Sequence, residues 1–326
     1  MRPPIKIALG LFFLTLALLF PLVMGEFHTY LLTEALIYAA LSVSYYLLLG
    51  HTGFLSLGHA AYFGLGGYAA AFCLLYLPNM PLPLTILIGA ATGLLSGLII
   101  GSLVLRLTKI YFSFATLAFS QMLWAIAWKW RSLTGGDDGL IGWSARQVTL
   151  PLIGSFSLSN VVFLYYLVFV VTLFSILLCW YFIRTPLGNT LAGIKSNANR
   201  INFLGINSGL AKLMLFGFAG LIAGASGSLF ILFKKMASPN FLDMFMSFDV
   251  VVMSVVGGYS TFFGPIVGSF VYVYMVEYLS SYTDRWQLIM GIFFVLVILI
   301  SPGGGLVGML RRLSNRIPFL REKREP

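Results

Sequence analysis

Hydroxyl and amide side chains recur along one apolar stretch of the chain. In YFSFATLAFSQMLWAIAW, residues 111–128, Ser113, Thr116 and Ser120 fall on one helical face, and Gln121 lies beside it. Such groups inside a membrane either hydrogen-bond helices to one another or line a path for a polar solute. Because both uses need the same residue types, this polar stripe predicts a buried polar surface and leaves its purpose open.

A second group with chemical potential lies where glycine is dense. GHTGFLSLGHAAYFGLGGY, residues 50–68, carries Ser56 and His59, and a later break, GGYSTFFGP, begins at Gly257 and Gly258. Glycine at this density breaks helices, and free backbone groups are tolerated in a membrane only beside protein or a water-filled cavity. We therefore expect these residues and the polar stripe to border a translocation path. A packed, hydrogen-bonded histidine is the alternative for His59.

Recognisable enzyme motifs are missing from the sequence. It has no H-E-x-x-H run, no supported serine or aspartate dyad, and no G-x-x-x-x-G-K-[ST] phosphate loop. Cys73 and Cys179 both fall in predicted spans, and no metal-ligand spacing is present. The sequence predicts a protein that is not an enzyme and that binds no metal or cofactor itself.

The composition places these groups in a membrane. Only 9% of the residues are charged and 59% are hydrophobic, with a mean hydropathy of +0.95, whereas a soluble domain has roughly 25% charged residues. The net charge of +10 is explained by basic residues in short loops, which set membrane orientation. A nucleic-acid partner is therefore not predicted.

The apolar runs predict an all-α polytopic membrane protein with about ten transmembrane spans, eight being the rival number. The spans are expected at 5–24, 31–49, 54–76, 84–105, 111–128, 161–183, 210–233, 247–256, 265–279 and 288–300. The first is interpreted as an uncleaved helix in preference to a signal peptide. Ten spans with glycine-rich breaks suggest a 5+5 inverted repeat with broken helices.

The distribution of basic residues predicts the orientation of the chain in the membrane, and the spacing of glycines predicts how its helices pack. With both termini in the cytoplasm, fourteen of the 20 Lys and Arg residues lie inside, as the positive-inside rule requires. Residues 303–326 then form a basic cytoplasmic tail of one transmembrane domain, 1–326. Glycines at four-residue spacing, from Gly89 to Gly101, are expected to pack against another helix of the same subunit, with a subunit interface as the alternative.

A polar stretch interrupts the apolar chain at 184–208. In RTPLGNTLAGIKSNANRINFLGIN, Asn189 is expected to cap a helix whose apolar positions include Leu191 and Ile194. This predicts a short amphipathic helix on the cytoplasmic side. It would lie either on the bilayer surface or in the groove of a soluble protein.

Seven blocks of the sequence carry a resemblance to known proteins: GHTGFLSLGHAAYFGLGGYAAA, YFSFATLAFSQ, LTGGDDGL, RTPLGNTLAGIKSNANRINFLGIN, LMLFGFAGLIAGASGSLF, VVGGYSTFFGPIVGS and LISPGGGLVG. With these blocks, which stand in family order, the chain resembles a known family, the permease subunits of ABC importers. Within that family it resembles the LivM branch of the branched-chain amino acid permeases. The resemblance implies a bacterial inner-membrane importer of branched-chain or other hydrophobic amino acids. An importer of urea or short-chain amides is the nearest alternative. A self-sufficient channel or secondary transporter is the rival from another class, disfavoured by scarce intramembrane carboxylates.

The resemblance also implies partners and a coupling loop. The partners are a second permease of the LivH type, two ATP-binding cassette subunits that use ATP and Mg²⁺, and an extracytoplasmic binding protein. Residues 184–208 would be the coupling-helix loop that docks on an ATPase. Its candidate residues are Thr190, Leu191, Gly193, Ile194, Lys195, Asn197, Arg200, Leu204 and Gly205.

The sequence departs from the family in two places. Ser196 and Ala198 stand where members usually carry acidic residues, and Gln121 stands where an acidic residue is common. The first departure leaves the identity of the ATPase open, and the second leaves substrate preference open. Asp249, in the eighth predicted span, is expected to face the bundle interior or an interface, because a charge at the bilayer centre costs about 2.5–3.5 kcal/mol on insertion scales.

Overall fold

The structure is a computed structural model that describes residues 17, 19–21, 23–77, 79–107, 109–143, 147–150, 154–157 and 160–316. Most of the predicted span 5–24 and the end of the basic tail lie outside the described residues. The helices are α1 (Glu26–Tyr46), α2 (His59–Tyr76), α3 (Leu82–Val104), α4 (Lys109–Lys129), α5 (Arg131–Thr134), α6 (Val161–Arg184), α7 (Pro186–Phe203), α8 (Ser208–Lys234), α9 (Met244–Gly257), α10 (Gly264–Tyr282), α11 (Trp286–Ile300) and α12 (Gly305–Arg316).

Every predicted span from 31–49 onward overlaps one of these helices. Within the described chain, α1 with its continuation to His51, α3, α4, α6 and α8 are long and apolar enough to cross a membrane. A sixth is added if α11 and α12, bent by 49° at their junction, count as one span. The protein is therefore helical and polytopic, while the total of ten spans and the inverted repeat stay predictions.

Glycine holds the centre of the bundle together. Gly93 on α3 lies so close to the carbonyl of Gly220 on α8 that a methyl group on either glycine would overlap the other helix. Gly97 likewise faces the carbonyl of Phe216, and Gly66 on α2 faces Gly224. Such contacts require small residues. The glycine faces thus pack α2, α3 and α8 within one chain, as expected.

Short strands close one end of the bundle. β1 (Leu140–Ile141) pairs antiparallel with β4 (Met236–Ala237), and β2 (Gln147–Leu150) pairs with β3 (Gly154–Ser157). The chain is mostly helical, as predicted, and these short strands, which the sequence did not predict, form because the backbone groups of the connections pair with each other. We call this the strand end, and the opposite end, which carries α7, the α7 end.

Two helices begin inside the bundle. α2 starts at His59, later than the predicted 54, because Gly53 at φ +78° turns the chain and residues 54–58 run without helical structure. α2 then continues to the strand end, where Leu75 meets Gly142. α9 starts at Met244, runs the opposite way, and ends near Gly258 at the α7 end. At its start, the amide of Ala60 on α2 donates to Ser247 Oγ on α9 at 3.0 Å.

Candidate translocation and coupling site

The polar stripe of α4 braces the segment that precedes α2. Ser113 Oγ donates to the carbonyl of Leu55 at 2.6 Å, and the amide of Leu57 donates to Thr116 Oγ1 at 3.0 Å. Leu55 and Leu57 are not part of a helix, so their backbone groups need hydrogen-bond partners from other parts of the chain. The two side chains of α4 supply them.

One turn further along, the same stripe braces the segment that precedes α9. Ser120 Oγ donates to the carbonyl of Leu242 at 2.8 Å. Gln121 Nε2 donates to Asp243 Oδ1 at 3.1 Å, while Asp243 caps α9 by accepting from the amide of Met244. These contacts form one brace for both broken helices, made by Ser113, Thr116, Ser120 and Gln121.

His59 lies at the start of α2, in a cluster of polar side chains that is buried inside the bundle. Its Nε2 lies 2.7 Å from Ser44 Oγ, and Ser44 donates its own proton to the carbonyl of Leu41. Ser44 must then accept, so His59 carries its proton on Nε2 and presents a bare Nδ1. Nδ1 and the hydroxyls of Tyr45 and Tyr62 have no protein partner in the described chain. The packed-histidine alternative accounts for Nε2 and leaves Nδ1 as an open acceptor.

The other predicted path residues are also enclosed. Ser56 is fully buried and its hydroxyl has no partner among the described residues. Gly257 lies against the carbonyl of Gly264, and Gly258, at φ +115°, lies against the carbonyl of Gly304. These glycines allow α9, α10 and α12 to meet through their backbones, so they form a packed joint at the α7 end.

α7 begins earlier than expected. Pro186 occupies its first turn and Thr185 Oγ1 accepts from the amide of Gly188 at 3.2 Å, so the cap is Thr185 and the Asn189 prediction is wrong. Proline suits this position because its missing N–H has no helical partner there. The helix ends at Phe203, and Gly205, two residues later, turns the chain with a left-handed φ of +79°, while the amide of Ile206 donates to the carbonyl of Ile201.

Three contacts fix α7 to the bundle. Leu191 and Ile194 are buried at 0% and 6% exposure. Lys195 Nζ donates to the carbonyl of Gly50 at 2.6 Å, and His51 Nε2 lies 2.8 Å from the carbonyl of Gly188. Gly50 and His51 belong to the π-helix at the end of α1, immediately before the segment that α4 braces. α7 is thus tied to the broken start of α2.

The far end of α7 points away from the bundle. Phe203 is 90% exposed and Leu204 is 73% exposed, and both lie beside Gly205. The backbone at Asn197 is extended, at φ −162° and ψ 103°, and Asn197 Oδ1 accepts from the amide of Arg200 to restart the helix. Gly193 faces Ile201 across this kink, and Thr190 bonds back to Pro186. We call Phe203 and Leu204 the apolar tip.

Phe203 and Asp243 were missed at the level of sequence. Phe203 sits at a helix end, where apolar periodicity gives no indication of which way a side chain points. Asp243 stands in a break between spans, and its N-cap role could have been recognised from the apolar run that follows it. Leu191 and Ile194 were expected to contact the ATPase partner, whereas in the structure they are buried on the side of α7 that faces the bundle.

Comparison with known proteins gives a family match over most of the chain. Residues 27–301 match the family described as "Branched-chain amino acid transport system / permease component". The chain is 24% identical over 246 residues to the high-affinity branched-chain amino acid transport system permease proteins LivM of Salmonella typhimurium strain LT2 and Escherichia coli strain K12, covering 68% of this chain and 56% of each relative.

A further relative differs in the substrate its name gives. The tyrosine transport system permease protein of Clostridioides difficile strain R20291 is 27% identical over 159 residues, which cover 44% of this chain and 52% of that protein. The chain thus spans about half the length of the curated relatives it matches. No solved structure matches it.

Proposed function

Since the chain belongs to the family of branched-chain amino acid transport system permease components, we propose that it is the membrane-spanning permease subunit of an ABC importer. It carries branched-chain or other hydrophobic amino acids across a bacterial inner membrane. Relatives named for branched-chain amino acids and for tyrosine support amino acids as the substrate class. Both termini lie in the cytoplasm, so the α7 end faces the cytoplasm.

Other chains supply the energy for transport. Two ATP-binding cassette subunits hydrolyse ATP with Mg²⁺, a second permease of the LivH type completes the membrane part, and an extracytoplasmic binding protein delivers the substrate. The observation that carries the proposal is the apolar tip of α7. Exposed Phe203 and Leu204 at the end of a polar helix suit a hydrophobic groove on a soluble protein.

The remaining contacts of α7 supply a route for force. Movement of the tip is passed through Leu191 and Ile194, which anchor α7, and through Lys195 to the carbonyl of Gly50. From Gly50 the chain runs through the braced segment into α2. The apolar tip makes the contact with the ATPase. The shape of the helix depends on Gly193, Thr190, Asn197, Arg200 and Gly205.

The broken helices support the finer architecture. α2 and α9 start inside the bundle, run in opposite directions, and are braced by one helix. Breaks of this kind are typical of inverted-repeat transporters. We propose ten spans in a 5+5 arrangement, with the path running beside the starts of α2 and α9.

Reconstitution tests the proposal. The chain is co-expressed with the permease, ATPase and binding-protein genes of its own operon, and uptake of leucine, tyrosine and urea is measured with and without ATP. We expect ATP-dependent uptake of the amino acids. Replacing Phe203 and Leu204 by Ala should release the ATPase subunits during purification, whereas Tyr282→Ala, at an 85% exposed aromatic residue beyond the opposite end, should retain them. Uptake without ATP, or retention by both variants, would overturn the proposal.

A further inference from the structure

Asp249 lines a cavity of about 440 Å³ between α9, α10 and α11. The other walls include Phe245, Val252, Tyr272, Trp286, Gln287 and Met290. Tyr272 lies beside the Asp249 carboxylate in the cavity wall. The cavity has the size of a small-molecule site, and its few polar groups include one carboxylate.

Asp249 lacks a cationic partner in the part of the chain that the structure describes. The ion pair found there joins Lys234 to Glu34 at 2.8 Å, and no basic side chain lines the cavity. A carboxylate at membrane depth either pairs with a cation or marks a substrate path. The cavity therefore offers a negative charge to a cation that the chain does not itself provide.

The walls select the kind of cation. The rings of Phe245, Tyr272 and Trp286 suit an ammonium group through their faces and an apolar side chain through their area. The indole N–H of Trp286 and the amide of Gln287 are donors suited to a carboxylate. The described residues contain no group of three metal-ligating side chains, so a metal ion is a poorer fit.

We propose that this cavity binds an α-amino acid with an apolar side chain, with its ammonium group at Asp249. The inference rests on the proposed function and names the substrate site within it. Asp249 lies on α9, whose start is braced by Ser120 and Gln121 and whose end meets the glycine joint at Gly257. The cavity is thus linked through α9 to the brace on α4 and to the glycine joint at the α7 end.

Ligand-induced stabilisation tests the site. The assembled complex without its binding protein, in nanodiscs free of phosphatidylethanolamine, is heated with leucine or with 4-methylpentanoate, which keeps the carbon skeleton and lacks the ammonium group. We expect leucine to raise the unfolding midpoint and 4-methylpentanoate to have no effect. Asp249→Asn should weaken leucine binding about tenfold or more, as expected for loss of a charge-assisted hydrogen bond.

Glu277→Gln is the matched control, because it makes the same change at an exposed carboxylate of α10. It should bind leucine as the parent does. If Asp249→Asn fails to assemble, Val252→Trp decides, since it fills the cavity and keeps the charge. Leucine binding that survives both cavity variants, or equal binding of 4-methylpentanoate, would overturn the site.

The same preparation separates this inference from the proposed function. ATP-dependent uptake by the parent complex with unchanged leucine binding in the cavity variants would refute the site alone. Absence of ATP-dependent uptake in the parent would refute the proposed function itself. Stabilisation by phosphatidylethanolamine in place of leucine, lost in Asp249→Asn, would overturn the amino-acid assignment in favour of a lipid headgroup.

Discussion

Lys195 on α7 donates from Nζ to the backbone carbonyl of Gly50 at the end of α1, at 2.6 Å. The stem of Lys195 also runs beside Gly53, so one side chain spans the junction between the amphipathic helix and the broken segment. His51 adds a second link, to the carbonyl of Gly188. These links lie where the proposed force transmission requires a firm connection.

Lys195→Met should uncouple the two parts. It keeps the apolar stem and removes a charge-assisted hydrogen bond, which contributes about 1.5–3 kcal/mol. We expect uptake to fall roughly tenfold while ATPase subunits still co-purify and basal ATP hydrolysis continues. Lys129→Met, at an exposed lysine on α4, is the control and should transport normally. Normal transport by Lys195→Met would show that the link does not transmit force.

Thr116→Val should destabilise the protein more than it changes substrate choice. The substitution leaves the amide of Leu57 without its acceptor, at a cost of about 1–3 kcal/mol for a partly buried donor. The measurements are the unfolding midpoint and the relative uptake of leucine and tyrosine. Thr92→Val on α3 is the control, because Thr92 bonds only within its own helix. A changed substrate ratio at unchanged stability would restore the path-lining interpretation.

Gly93→Ala should prevent close packing of α3 and α8. The added methyl group would overlap the carbonyl of Gly220, which is backbone and cannot rotate away. We expect loss of folded protein on size-exclusion chromatography, or a fall in stability of about 1–3 kcal/mol. Gly291→Ala has nothing within 4 Å of the added atom, and should leave the unfolding midpoint unchanged or raised. Equal behaviour of the two would contradict the packed seam.

The Glu34–Lys234 ion pair should contribute measurably to stability. Its side chains are 15% and 29% exposed, and Lys234 also lies over the rings of Phe233 and Tyr30. Glu34→Gln should cost about 1–3 kcal/mol by leaving the lysine charge without its carboxylate partner. Adding Lys234→Met should recover part of that cost in a double-mutant cycle. Additive effects of the two changes would indicate that the pair is not coupled.

Cysteine labelling should show which end of the bundle faces the cytoplasm. The native Cys73 and Cys179 are both buried, so the background is low. A membrane-impermeant maleimide applied to intact cells should label Tyr282→Cys and leave Phe203→Cys untouched until the membrane is opened. Labelling of Phe203→Cys in intact cells would place the apolar tip outside and refute its contact with an ATPase.

The helices could be predicted from the sequence because apolar runs and glycine spacing are local features. The bounds of α3, α6 and α8 differ from the predicted spans by only a few residues. The polar stripe was also recognisable, since Ser113, Thr116 and Ser120 share a face in any helix. Its partners were not, because Leu55 and Leu242 are distant in sequence and act through backbone atoms, which carry no residue signature.

Other features depend on three-dimensional packing alone. The kink at Asn197 and the exposure of Phe203 are properties of the folded chain, and helical periodicity predicts neither. Asp249 was expected to face an interior or an interface, but the cavity beside it exists only once α9, α10 and α11 have assembled.

The seam between Gly93 and Gly220 also constrains how the protein is made. α3 leaves the ribosome before α8, so the contact between Gly93 and Gly220 forms only after more than a hundred further residues have been made. Until then the faces of α2 and α3 that pack on α8 lack that partner. Tertiary packing of this chain is therefore completed late. Its early helices are synthesised first, and they pack on α8 only after the second half has been made.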